Sequence, residues 1–155
     1  MMNPNPSANC YALIKHFEGC KLEAYLCPAG IPTIGYGNTF YADGKPVKMG
    51  DKITKEQAEA LLPNIVEKFA QSVNKAVKRV IEQHEFDALV SFTYNVGIGN
   101  LGKSTLLLKV NNNSPKAEIV AEFLKWNKAG GKVLDGLTKR RKSESYLYIT
   151  GEVNL

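Results

Sequence analysis

The hydrophobic period of this chain is helical, lapses over residues 22–50, and then resumes to the C-terminus. That lapse limits the fold more than any single residue does. Before it, Ser7 is placed as a helix N-cap. Cys10, Leu13, Ile14 and Phe17 then recur at i, i+3, i+4 and i+7, one apolar face of a helix. Gly19 supplies the stop, so Glu18 falls on the last turn. Within the lapse, glycines, prolines and aromatics collect. Leu22–Leu26, Thr33–Tyr36 and Phe40–Tyr41 read as short strands, joined by turns at Pro28-Ala29-Gly30 and Ala42-Asp43-Gly44.

After the lapse, Thr54 and Gln57 form a capping-box pair ahead of Ala58, Leu61 and Leu62. The helix they open is expected to run toward Val80, with Pro63 kinking or breaking it. A second helix carries Phe86, Leu89, Val90 and Tyr94 on one face and ends near Gly97. Further helices are expected over Ser104–Val110, Ala117–Lys128 and Thr138–Ile149. The expected class is α+β and mostly helical, within a single domain. A small β-rich lobe covers about 20–53. A larger helical lobe covers about 54–155 together with the N-terminal helix at about 7–19, and the helix from Thr54 is the connector.

Composition narrows the function classes. No apolar run approaches the length that spans a bilayer. The segment Met1–Ser7 has neither a basic n-region nor a long apolar core, so no signal peptide is read and the cytoplasm is the expected compartment. The net charge of +5 suits an anionic partner, but no aromatic-and-basic repeat marks a nucleic-acid groove. Cys10, Cys20 and Cys27 are an odd count without CxxC spacing, which argues against a disulfide framework and against a zinc site. His16 and His84 form no metal constellation, and no cofactor is expected.

The chemistry concentrates in Glu18-Gly-Cys-Lys-Leu-Glu-Ala-Tyr-Leu-Cys27-Pro-Ala-Gly-Ile-Pro-Thr33-Ile-Gly-Tyr-Gly37. A helix followed by a hairpin brings an acid, a thiol and a hydroxyl into one place. General-acid catalysis needs a carboxylic acid that is still protonated when it meets the leaving group. The C-terminal end of a helix, where the macrodipole disfavours an anion, suits such a group, and Glu18 is read there. Thr33 can both accept and donate a hydrogen bond, so it can orient a water without activating it alone. Cys27 serves as base, nucleophile or electrostatic partner only as thiolate, and a free thiol titrates near about 8.5.

One other pattern competes. Gly97-Ile-Gly-Asn-Leu-Gly102-Lys103-Ser104 matches the phosphate-loop spacing G-x4-G-K-[ST]. That motif needs a strand before it, whereas the preceding apolar spacing is helical. The segment is read as a glycine loop between two helices, with no nucleotide.

The spacing of Glu18, Cys27 and Thr33 resembles the catalytic signature of phage-type lysozymes, glycoside hydrolase family 24, with cysteine where aspartate is commoner. The likeness extends to Phe86–Gly97, to Trp126-Asn127 with Ala129-Gly130-Gly131, and to Gly136-Leu137-Thr138-Lys139-Arg140-Arg141 followed by Glu144. It covers roughly residues 10–151. The resemblance implies a two-lobed lysozyme-like fold with a cleft. It also implies hydrolysis of the β-1,4 bond between N-acetylmuramic acid and N-acetylglucosamine in bacterial peptidoglycan. Tyr36 and Asn38 would bind substrate from the β-rich side, and Ser91 and Asn95 from the helical side. Arg140, with Arg141 as the alternative, would pair with Glu18 in the free enzyme. The resemblance further implies a monomer without metal or stable membrane insertion, released from the host cytoplasm with the help of a holin. Two other outcomes stay open from sequence. A lytic transglycosylase would use Glu18 alone, and a peptidoglycan-binding protein would cleave nothing.

Overall fold

Helix α1 spans Ala8–Glu18, and Cys10, Leu13 and Ile14 are its buried face. It stops where expected, because Gly19 takes φ +70. Ser7 stands just before it, and its carbonyl accepts from Cys10 at 3.1 Å. The Ser7 side chain has a further use: its hydroxyl and its backbone N–H both donate to the carboxylate of Asp87. The computed structural model describes residues 5–155, so the part of the leader reading that rests on residues 1–4 lies outside the described residues. Two compact units are present, Glu18–Lys68 and the remainder of the chain.

In the first unit, strands β1 (Lys21–Leu26) and β2 (Pro32–Gly35) pair antiparallel with Tyr25 opposite Thr33 and Leu26 opposite Pro32. The turn between them is tight. Gly30 N–H donates to the Cys27 carbonyl at 2.8 Å, and Cys27 N–H donates to that of Ile31 at 3.1 Å. Pro28 and Gly30 suit this turn, since proline pre-sets φ and Gly30 takes φ +77. Ala24, Ile34 and Val47 form a small core, with Tyr41 and Ile53 against it. The strand expected at Phe40–Tyr41 reduces to one bridge, Phe40 with Pro46. Pro46 has no N–H to extend a ladder.

Helix α2 (Lys55–Ala76) begins as expected. Thr54 N–H donates to Gln57 Oε1 at 2.8 Å, and Gln57 N–H donates to Thr54 Oγ1 at 3.1 Å. Pro63 does not break it. Ala58, Leu62, Val66, Ala70 and Val73 are buried on both sides of the proline, and that apolar stripe outweighs one missing hydrogen bond. The helix ends at Ala76 rather than near Val80 because Asn111 intervenes. Its side chain donates to the Ala76 carbonyl at 3.2 Å and accepts from Lys78 N–H at 2.7 Å.

In the second unit, α3 (Gln83–Val96) is buried continuously from Glu85 to Thr93 and closes at Gly97, φ +98. The glycine-rich segment is a short helix, α4 (Ile98–Gly102), rather than a loop. Ser104 then accepts from Leu107 N–H at 3.0 Å and caps α5 (Thr105–Asn111). A helix on one side and a capped helix on the other leave no strand-to-helix phosphate cradle. Helix α6 (Lys116–Leu124) ends before the expected Lys128. Lys128–Ala129 and Lys132–Val133 instead form a hairpin, β3 and β4, about Gly130 and Gly131, both at positive φ. Helix α7 (Asp135–Thr150) extends the expected Thr138–Ile149 at both ends and stops at Gly151. The architecture is the expected α+β, mostly helical class, and among the described residues no helix is long and apolar enough to cross a membrane.

Candidate active site

Glu18 is exposed at the last position of α1, followed by the turn at Gly19 that leads into β1. Cys27, half-buried, opens the β1–β2 turn, where the chain reverses around its sulfur. Backbone N–H groups of Ile31 and Ala29 and the Thr33 hydroxyl bond that sulfur. The Ile31 N–H is the largest single influence. Together they hold the thiol below its ordinary range against a smaller opposing effect of burial. The turn is therefore a small nest of donors that favours thiolate.

Thr33 is only 3% exposed. Its Oγ1 also donates to the Ile31 carbonyl at 2.9 Å. A hydroxyl has one proton, so Thr33 chooses between that carbonyl and the sulfur. The structure thus places Thr33 beneath the β1–β2 turn, bonded to Ile31 and within reach of the Cys27 sulfur.

Tyr25 is the member of this group that sequence reasoning passed over. It pairs across the ladder with Thr33 and is 37% exposed. Its phenol is pushed up first by partial burial and then by the negative charges of Cys27 and Glu18, so it senses both groups. The signal was in the sequence: Tyr25 lies two residues before Cys27, on the same face of an extended chain.

The other expected substrate contacts fall differently. Tyr36 is enclosed, and its hydroxyl accepts from Lys55 Nζ at 2.9 Å, with that ammonium 5.3 Å from the ring centroid. That bond holds the Lys55 ammonium more firmly protonated. Tyr36 is thus a strut from β2 to α2, not an open contact. Asn38 is buried too. Its Nδ2 donates to the Leu61 carbonyl at 3.2 Å, and it lines a cavity of about 350 Å³ with Phe40, Asn64 and Glu67.

Ser91, Asn95 and Arg140 belong to the second unit. Ser91 is 0% exposed and donates to Glu144 Oε2 at 2.6 Å. Arg140 is also enclosed. Its Nε donates to Glu144 Oε2 at 3.1 Å, and its guanidinium donates to the Ser91 carbonyl. Both residues serve a buried charge network, because α3 and α7 pack against one another over that stretch. Asn95 alone of the three is exposed, on the last turn of α3.

The phage lysozyme family model matches residues 15–144. The chain belongs to the phage lysozyme family. Among its relatives, the endolysin of Bacillus phage B103 is 48% identical over 146 residues, covering 90% of this chain and 52% of that protein. The chain spans about half the length of its Bacillus phage relatives. The solved endolysin from Escherichia coli O157:H7 phage FAHEc1 superimposes with a TM-score of 0.86 at 46% identity, covering 97% of both chains. The muramidase domain of SpmX from Asticaccaulis excentricus gives 0.84 at 37% identity, covering 94% of this chain and 98% of that one.

Proposed function

We propose that this chain hydrolyses the β-1,4 bond between N-acetylmuramic acid and N-acetylglucosamine in bacterial peptidoglycan, as an endolysin acting in host lysis. The observation that carries the reading is the donor nest around Cys27, shared with Thr33 and Tyr25 and following the helix end that bears Glu18. Relatives named endolysin and muramidase support it.

In this mechanism Glu18 gives its proton to the glycosidic oxygen as the bond from that oxygen to the anomeric carbon breaks. Water attacks the anomeric carbon, and its proton passes to the Cys27 thiolate. A base that activates water on the face opposite the acid inverts the configuration. Thr33 supports the thiolate, and Tyr25, reaching toward both charges, borders the sugar. Residues 1–155 act as one lysozyme-like domain. Asn95 and the surroundings of Asn38 supply substrate contacts. The protein works as a monomer, stays in the host cytoplasm until a holin opens the inner membrane, and then meets the wall.

Mass spectrometry of purified peptidoglycan digested by the wild type and by Glu18→Gln tests this. Reducing muramic ends from the wild type alone are expected. Anhydro-muramic ends would mean that the sugar's own 6-hydroxyl attacks instead of water, a transglycosylase. No new ends from either protein would leave only binding.

A further inference from the structure

The net charge of +5 is unevenly placed. Residues 18–68 carry six lysines against seven acidic residues, so the positive excess belongs to the other unit. Much of it gathers about one hairpin. Lys128 on β3 and Lys132 on β4 are exposed. Lys139 and Lys142 on α7 are exposed as well, and a three-residue spacing puts them on one helix face. From Lys125 to Lys142 the sequence holds a single acidic residue, Asp135. None of these four lysines meets a carboxylate among the described residues.

The platform is fixed. Leu134 N–H donates to the Asn127 carbonyl at 2.9 Å, closing the hairpin base. Asn127 Nδ2 donates to Thr138 Oγ1 at 3.1 Å, beside Lys139, and fastens that base to α7. Val133, directly across the ladder from Lys128, is 56% exposed, and Leu134 is 44% exposed. These two side chains present apolar surface among unpaired cations, a combination that marks an interaction site.

We propose that the β3–β4 hairpin and the neighbouring face of α7 form a docking surface for an anionic lipid membrane. Four unpaired lysines attract headgroup phosphates over about a Debye length. Val133 and Leu134 find an apolar partner at the boundary of the acyl chains, which a wholly hydrophilic polyanion does not offer. The contact proposed is peripheral, made by exposed side chains of the hairpin and of α7. It is independent of the roles of Glu18 and Cys27.

The test is co-sedimentation of the full chain with vesicles of phosphatidylcholine alone or with added phosphatidylglycerol, at low and high salt. Binding is expected only to the anionic vesicles, with release at high salt. Lys128→Gln with Lys132→Gln should reduce the bound fraction several-fold, as should Val133→Ser with Leu134→Ser, while turnover of soluble glycan fragments stays at the wild-type rate. The glutamine pair alters exposed atoms only, so it keeps the test decisive if the serine pair fails to fold. Equal binding to neutral vesicles overturns the proposal, and so does an absence of binding to either. Wild-type binding by a folded serine pair also overturns it, because the lysines would then be a site for any polyanion.

Discussion

At Cys27 the chemistry depends on one proton. The thiolate fraction rises with pH through the thiol's own pKa, and the Ile31 and Ala29 N–H groups bring that rise to lower pH. If the thiolate is the base, activity climbs along the same limb. Cys27→Ala should lose that limb and about 10²-fold or more of kcat, the usual scale of general-base catalysis. Cys27→Asp should keep or raise activity and move the limb to acid, since a carboxylate ionises near about 4. The pH–rate profiles of the three proteins on soluble glycan fragments check this. Equal activity in Cys27→Ala and the wild type removes Cys27 from the mechanism. The spacing of Glu18, Cys27 and Thr33 was legible because a turn and a helix end are local. That Thr33 is enclosed and bonded to Ile31 was not, because burial depends on what packs over β2.

At the scale of elements, the segment between β2 and α2 has only isolated bridges, and Asp51 is one of its main fastenings. The Asp51 carboxylate accepts from Tyr41 Oη at 2.7 Å and from Lys48 N–H at 3.0 Å, while the Asp51 carbonyl accepts from Ala24 N–H at 2.9 Å. The Lys48 N–H first, and then the Tyr41 hydroxyl, hold this carboxyl below its usual range. Tyr41 is pushed up to about 12, by burial and then by Asp51. A depressed carboxyl contributes stability above its unfolded pKa and loses it as pH falls through the folded value. Asp51→Asn should therefore lower Tm at neutral pH, and the gap to the wild type should close as the pH falls through the carboxyl range. Circular-dichroism melts across that range check it. A gap that does not change with pH means that the charge contributes nothing.

In the helical unit as a whole, the core contains charge. Glu144 and Arg141 are fully buried, with Arg141 Nε 2.9 Å from Glu144 Oε1, and Arg140 and Ser91 hold the other carboxylate oxygen. The Arg141 guanidinium lies 5.1 Å from the Phe92 ring centroid. The nearby Cys10 thiol is pushed well up, by burial first and then by Asp87 and Glu144, and so stays neutral. Removing Glu144 strands two guanidinium ions inside the unit. Glu144→Ala should cost about 3–5 kcal/mol, read by urea denaturation, and a cost near zero would mean that water enters to solvate the arginines.

The sequence by itself determined the elements whose ends are local: the stop at Gly19, the box at Thr54 and Gln57, the break at Gly97, and the class that follows from them. The hairpin at Lys128–Val133 was not read from the sequence, where the apolar spacing carried a helix on to Lys128. Only the tertiary structure decided that α2 ends at Ala76, because the residue that ends it, Asn111, is 35 positions away. The same holds for the buried bonds that Ser91 on α3 and Arg140 on α7 make to Glu144, since Ser91 lies 53 positions from it. Propensity and spacing act over a few residues, whereas burial and the partners of a buried charge are properties of contacts between distant segments.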